Sequence, residues 1–334
     1  MRGVKEGLVT GRTMDVPLSE YLSDQAAALY VERTRNHRPT RSDTSIDDYR
    51  RTMDERFFAP RLAAAKELWP ADIESAVIGG ISVDLVDPQP GVTALNRDRI
   101  LLNFHGGGFC IGEGIGGLVE SIPIATTLGI RVISVHYRQG PEHVFPAASE
   151  DVAAVYNELL KQFDRRKIGM YGCSDGGLLA AMSVAWLLKN DRPLPGAIAL
   201  ISSPAGPVAG GDSRYISAVL DPGAGDPPPT PSLISPPYPR EYLQTADCRS
   251  ALISPMDNPE TLSCFPPTLL LTGTRATECS AVIQTYRLLM RAGAHAQLEL
   301  WDGLWHGFVY DVRLPEAQEA FEVIAKFFNS HLGE

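Results

Sequence analysis

No stretch of this 334-residue chain runs apolar for about 18 residues, so no membrane-spanning helix is expected. Residues Met1 to Thr10 have no apolar run after their charges, so no secretory signal peptide is expected either. The five cysteines, Cys110, Cys173, Cys248, Cys264 and Cys279, form no CxxC pair and lack the His/Cys spacing of a zinc site. No metal is therefore expected, and an odd number of scattered thiols suits a reducing cytoplasm. Positive charge is also scarce. The formal net charge is -10, and an acidic surface repels phosphate backbones, which argues against a nucleic-acid partner.

What is present is an ordinary globular composition, 44% hydrophobic and 21% charged, so most of the chain is expected to fold. The length suits one large α/β domain, or a core domain with a small lid. Residues 22–33 and 45–68 read as helices rich in alanine and charge, with Thr44 and Ser45 as N-cap candidates. Residues 36–43, with Pro39, read as the loop between them. This block, 1–72, is expected to be an N-terminal helical cap segment.

From Ile73 the period changes. Residues 73–78 and 81–86 alternate or run β-branched around Gly79-Gly80, which predicts an antiparallel pair at a sheet edge. Apolar runs then alternate with helical patterns. The runs cover 100–104, 131–135, 167–171, 197–201, 268–271 and 297–300; the helical stretches cover 119–128, 147–162, 177–188, 280–292 and 316–328. Such alternation means βαβ units and a mostly parallel sheet flanked by helices. Residues 73–334 are thus expected to form the main domain. Within it, 203–266 is rich in proline and glycine, and so long a segment is uncommon in a compact domain unless it is functional. It is expected to be a lid over the active site, packed with the N-terminal helices.

Two motifs carry chemistry. Gly172-Cys173-Ser174-Asp175-Gly176 lies between a predicted strand and a helix-like stretch beginning near Gly177. A serine between glycines at such a turn can sit in a strained conformation with Oγ projecting above the sheet. His105-Gly106-Gly107-Gly108-Phe109 follows the strand 100–104. No Lys-Ser/Thr follows it, which excludes a P-loop, and the dinucleotide fingerprint fits poorly. The remaining reading is an oxyanion hole, with the main-chain N–H groups of Gly107, Gly108 and Asp175 as donors.

These two motifs resemble the H-G-G-G and G-x-S-x-G motifs of the hormone-sensitive-lipase-like (family IV) bacterial carboxylesterases. Tyr137-Arg138, Pro141-Glu142 and Phe145-Pro146-Ala147 resemble that group's Y-R-L-A-P-E-x-x-F-P-A segment, with Gln139-Gly140 departing from Leu-Ala. The resemblance covers 73 to the C-terminus. It implies an α/β-hydrolase fold with a mostly parallel eight-stranded sheet and a helical cap. It also implies a cofactor-free serine hydrolase acting on carboxylic esters.

A serine hydroxyl needs a base. Among seven histidines, His306 in Trp305-His306-Gly307-Phe308 lies between the last predicted strand and helix, where the chain order serine, acid, histidine puts the base. His105 is expected to hold the glycine loop, and His37, His136, His143, His295 and His331 to be surface or packing residues. The acid is less plain. The family places aspartate after the strand 268–271, where this chain has Ala276; Glu278 is the carboxylate nearby. Glu278 is proposed to orient His306; the alternative is a first-turn helix residue complementing the dipole. Asp302 and Glu299 are the backups, Asp302 being awkwardly close in sequence to His306. Asp175 also departs from the family's small residue and, unless its side chain points away, would oppose the oxyanion or raise the pKa of His306.

The expected reaction is hydrolysis of small acyl esters through an acyl-enzyme on Ser174, with Phe109, Trp305 and the lid binding the acyl or alcohol portion. A lactone or carbamate would suit the same machinery. The rival reading is a non-catalytic ligand-binding protein on a hydrolase scaffold, as in plant hormone receptors resembling this family. The expected partner is a small-molecule ester, with no nucleic acid and no membrane; a homodimer of the chain is left open.

Overall fold

The structure, a computed structural model, describes residues 16–35, 45–207, 210–220 and 241–333. Eight strands form one sheet in the order β1-β2-β4-β3-β5-β6-β7-β8. They are β1 Ala71–Ile78, β2 Ile81–Pro88, β3 Ile100–Phe104, β4 Arg131–Val135, β5 Ile168–Cys173, β6 Ala197–Ile201, β7 Thr268–Gly273 and β8 Ala296–Trp301. β1 and β2 form a hairpin around Gly79 and Gly80, and β2 also runs antiparallel to β4. All later pairings are parallel. Strands β3, β5 and β6 are buried at every position, as expected for a sheet covered on both faces.

The helices are α1 Asp24–Arg35, α2 Ile46–Met53, α3 Ala59–Leu68, α4 Ile115–Leu128, α5 Ala147–Leu159, α6 Asp175–Lys189, α7 Ser213–Leu220, α8 Pro259–Ser263, α9 Cys279–Ala292 and α10 Pro315–His331. Two apolar layers result, one under each face of the sheet. Leu101, Tyr171, Ile201, Leu271 and Phe328 lie in one; Leu102, Met170, Leu179, Leu200 and Leu270 lie in the other. The alternation along each strand divides them, since neighbouring side chains point to opposite faces.

The N-terminal stretch 45–68 is broken into two α-helices by a π-turn at Asp54–Phe58. Ser45 caps α2 by accepting from the Asp48 N–H at 3.1 Å. The predicted loop 36–43 and the Thr44 cap lie outside the described residues. The proline-rich segment carries more regular structure than its composition suggests. Its described part holds α7, α8 and short 3-10 turns at Glu241–Leu243 and Pro255–Asp257. Proline at the first helical position opens α8, where its missing N–H is harmless. Among the described residues no helix is long and apolar enough to cross a membrane.

Candidate active site

The site is built at the carboxyl ends of the parallel strands, where an open α/β sheet normally carries its ligand crevice. β5 ends at Cys173 and α6 begins at Asp175, two residues before the start the sequence predicted. Ser174 alone makes the turn, at φ 57 and ψ -126. A non-glycine residue held at positive φ stores of order 1–3 kcal/mol, which the surroundings must impose. They do so through glycine. A Cβ on Gly172 would lie 2.2 Å, and one on Gly176 1.8 Å, from the carbonyl oxygen of Phe104 at the end of β3. Strand and helix therefore approach too closely for any side chain. Ser174 occupies the N-cap position of α6 without capping it, which leaves Oγ for another partner.

That partner is His306. Its Nε2 lies 3.0 Å from Ser174 Oγ. The loop after β8 holds the ring in place. Trp305 is fully buried, and its indole N–H donates to Asp311 at 3.2 Å. Asp311 also receives Arg33 at 2.7 Å and Arg61 at 2.6 Å, so α1 and α3 both brace this loop. The Gly307 N–H donates to Ser202 Oγ at 3.1 Å, tying the loop to the end of β6.

Behind His306 stands Glu278, 5% exposed. Its Oε2 is 3.0 Å from His306 Nδ1, an ion-pair contact that falls short of an aligned N–H···O bond. Its Oε1 accepts from the Thr272 hydroxyl at 2.8 Å. Glu278 directly precedes α9 but does not cap it with its side chain. The two readings of this residue are thus compatible: the carboxylate faces the imidazole and still enjoys the positive end of the helix dipole. The backups are engaged elsewhere. Asp302 accepts from Thr274 at 3.0 Å and from Ser19, and Glu299 from Gln297 at 2.9 Å.

The glycine loop completes the ring of groups. Gly107 and Gly108 both take positive φ, at 127 and 67. A Cβ on Gly107 would lie 2.2 Å from the Ile111 carbonyl oxygen. Among the described residues neither N–H finds an acceptor within the protein. His105 is fully buried, its ring stacked on Tyr137 at 4.4 Å, and Tyr137 donates to the His105 carbonyl at 2.7 Å. Burial pushes the imidazole down to about 4, so it is neutral at pH 7. The Asp175 carboxylate is buried at the first position of α6, where the helix dipole favours it. Its charge adds to the burial that holds the Tyr137 hydroxyl well above its ordinary value.

Two expected pocket residues do not line the site. Phe109, itself at φ 58, turns into the core, fully buried and stacked on Tyr242 at 4.7 Å. Trp305 is equally buried, under the Arg33 guanidinium at 4.9 Å from its ring and beside Tyr30. Both serve packing that fixes the loops around the site. Sequence reasoning missed Thr272, Asp311, Arg33 and Arg61. Arg33 and Arg61 act from about 250 residues or more away, and Thr272 and Asp311, though six residues from their partners, belong to no motif.

Residues 101–310 match the family described as alpha/beta hydrolase fold. The chain belongs to that family. It is 29% identical to an acetyl-hydrolase of Streptomyces hygroscopicus over 79% of its own length and 84% of that protein's. It is 26% identical to an acetyl esterase of Salmonella schwarzengrund over 95% of its length and 97% of that protein's. Among solved structures it is similar to an esterase, with a TM-score of 0.84 and 30% identity over 98% of this chain and 100% of the other. It is also similar to an esterase from the bacterial hormone-sensitive lipase family, with a TM-score of 0.75 and 27% identity over 93% and 98% of the two chains. Within the α/β-hydrolases it is therefore a hormone-sensitive-lipase-like enzyme of the carboxylesterase type, and its reaction is ester hydrolysis.

Proposed function

We propose that this protein hydrolyses carboxylic esters of small acyl groups through an acyl-enzyme on Ser174. The observation that carries the reading is the 3.0 Å contact between Ser174 Oγ and His306 Nε2 at a strained strand-to-helix turn. In the first step His306 takes the hydroxyl proton as Oγ attacks the ester carbonyl, then returns it to the leaving alcohol. In the second, His306 activates a water that releases the acid. Glu278 holds the imidazole through Nδ1 and favours the imidazolium that forms. The N–H groups of Gly107, Gly108 and Asp175 receive the carbonyl oxygen as it becomes negative.

The contact at Glu278 is expected to tighten once substrate is bound, as catalytic hydrogen bonds commonly do. The preference for short acyl chains is supported by the names of two relatives, an acetyl-hydrolase and an acetyl esterase. Residues 1–72 and 203–266 are assigned as cap and lid of a catalytic domain 73–334. Contacts across the two segments support that division: Tyr30 on α1 donates to the Leu220 carbonyl of α7.

The test is hydrolysis of p-nitrophenyl acetate, butyrate and dodecanoate by wild type and Ser174→Ala. Acetate and butyrate should be turned over, with kcat/KM for dodecanoate at least roughly tenfold lower. Ser174→Ala should lose on the order of 10⁴–10⁶ in kcat. Equal rates in the two proteins would remove the serine mechanism, and a preference for dodecanoate would remove the small-acyl assignment.

A further inference from the structure

A buried carboxylate lies beneath the site in a role the triad does not need. Glu120 sits on α4 and is 5% exposed. Its Oε1 accepts from the Gly106 N–H at 2.8 Å and the Tyr310 hydroxyl at 2.6 Å. Its Oε2 accepts from Asn103 Nδ2 at 2.9 Å and the Cys173 N–H at 3.2 Å. Gly106 begins the glycine run, Cys173 immediately precedes Ser174, and Tyr310 follows His306 on the same loop. One side chain thus bonds all three pieces of backbone that the mechanism must hold together.

We propose that Glu120 is a positioning residue for ester hydrolysis: ionised, it locks the glycine loop, the nucleophile turn and the His306 loop into one working arrangement, and protonation loosens it. The inference rests on the serine mechanism proposed above. Both oxygens of Glu120 face only donors, two each. A carboxyl proton on either oxygen must therefore meet a donor head on. Tyr310 can rotate its hydroxyl to accept, which leaves the Gly106 N–H on a neutral oxygen without the charge assistance of the carboxylate, so protonation weakens the hold on the glycine loop. The proton is within reach of ordinary pH. Burial pushes the carboxyl up to about 7, against the pull of Tyr310, Gly106, Asn103 and Cys173. The titratable groups turned toward it are Tyr310, Tyr171 and Cys173, with Tyr137 beyond. Burial holds each well above its ordinary value, so all are neutral at pH 7 and none screens the carboxylate.

The test is the pH profile of p-nitrophenyl butyrate hydrolysis for wild type, Glu120→Gln and Tyr310→Phe, from about pH 5.5 to 9. Glutamine mimics the neutral carboxyl. At the alkaline end Glu120→Gln should lose up to about 10²-fold in kcat, with KM within roughly twofold. The deficit should shrink toward pH 5.5, where the wild-type carboxyl is itself protonated. The wild-type acid limb should need two protons, from His306 and Glu120, and the Glu120→Gln limb one. Tyr310→Phe removes a donor that favours the ion, so its acid limb should move to higher pH. A Glu120→Gln deficit constant across pH, or no deficit, would overturn the proposal. If Glu120→Gln does not fold, an unshifted limb in Tyr310→Phe would overturn it. Labelling of wild type by phenylmethylsulfonyl fluoride, and its absence in Ser174→Ala, separates the two levels. Loss of that pattern means the serine mechanism itself has failed; its presence with an unmoved pH profile means only the role of Glu120 has failed.

Discussion

The floor of this site and its roof are held by different physics. The floor is the junction of β3, β5 and α6 with the glycine loop. There, backbone meets backbone at distances no side chain could tolerate, and the groups between are almost fully buried. The roof, on the cap and lid assignment proposed above, is α1, α2, α3 and α7. Its helices pack side chain against side chain, with Ala26, Phe58 and Ala65 in the apolar layer, and are pinned by polar contacts such as Arg50 to Glu142 and Ser213 to the Thr277 carbonyl. The floor sets where the nucleophile and the oxyanion donors stand. The roof sets what reaches them. Substitutions in the floor should therefore damage folding or kcat, and those in the roof should damage KM.

Gly176→Ala should be the most damaging. Its Cβ would fall 1.8 Å from the Phe104 carbonyl oxygen and 2.7 Å from that of His105. Both are backbone atoms, at and just past the end of β3, so there is no side chain to move aside. The expected outcome is no folded protein in the soluble fraction. A well-folded variant with normal circular dichroism would show that the turn is looser than its contacts imply. Glu278→Gln comes next. It keeps the size but replaces the charge facing His306 Nδ1 with an amide. By analogy with other triads, kcat should fall on the order of 10³–10⁴ while the thermal midpoint changes little. Asp302→Asn, measured beside it, should leave kcat within about twofold. The reverse ranking would move the acid role to Asp302.

Stability should separate floor from activity in a further way. The folded-state pKa of Glu120, about 7, lies above its ordinary value of 4.5. Its neutral form is thus the one that folding favours. That contribution is complete below the unfolded value and is lost as pH rises through the folded one. Catalysis is proposed to need the opposite form. Between about pH 5 and 8, wild type should therefore lose stability relative to Glu120→Gln while gaining activity relative to it. Denaturant midpoints of the two proteins across that window measure the first trend. A wild-type midpoint that rises relative to that of Glu120→Gln as pH increases would contradict it. His105 works in the opposite sense. Its folded-state pKa of about 4 lies below its ordinary 6.5, so its contribution is present above 6.5 and fades as pH falls toward 4.

The sheet was legible in the sequence because its strands are short, apolar and punctuated. β3, β4 and β6 begin and end where the apolar runs 100–104, 131–135 and 197–201 do. The helix after the nucleophile was placed two residues late. Asp175 and Gly176 read as part of the turn, whereas here they open α6, with Gly176 at a close-approach position. Ser174 and His306 could be named because each sits in a local pattern at a strand end. Glu120 could not, since a carboxylate inside the apolar run of α4 gains meaning only from Gly106, Cys173 and Tyr310, which sequence distance hides. Phe109 and Trp305 misled because an aromatic beside a catalytic motif fits a pocket and a packed core equally well. Burial against Tyr137 and Tyr242 decides for the core at Phe109, and sequence does not report those contacts.

The roof offers the gentlest test. Arg50 on α2 donates to the carbonyls of Cys110 at 2.8 Å and Gly140 at 3.0 Å, and forks onto Glu142 at 2.7 and 2.8 Å. The ion pair holds the Glu142 carboxyl down to about 2, so it persists across the working pH range and is lost only as pH falls from 4.5 toward that value. Glu142 is half-exposed, so solvent screens the pair and it adds no more than about 1 kcal/mol. The carbonyl bonds matter more, because they tie α2 both to Cys110, just after the glycine loop, and to Gly140, after β4. Arg50→Ala should raise KM a few-fold, lower stability by about 1–2 kcal/mol and leave kcat within roughly twofold. Glu142→Gln removes the charge but keeps both carbonyl bonds, so it should change KM less. Arg50→Lys should not restore wild-type KM, because an ammonium cannot reproduce the planar fork that reaches two carbonyls and a carboxylate at once. A kcat loss in Arg50→Ala as large as that of Glu120→Gln at alkaline pH would mean that the roof positions the reacting groups too, and the division between floor and roof would fail.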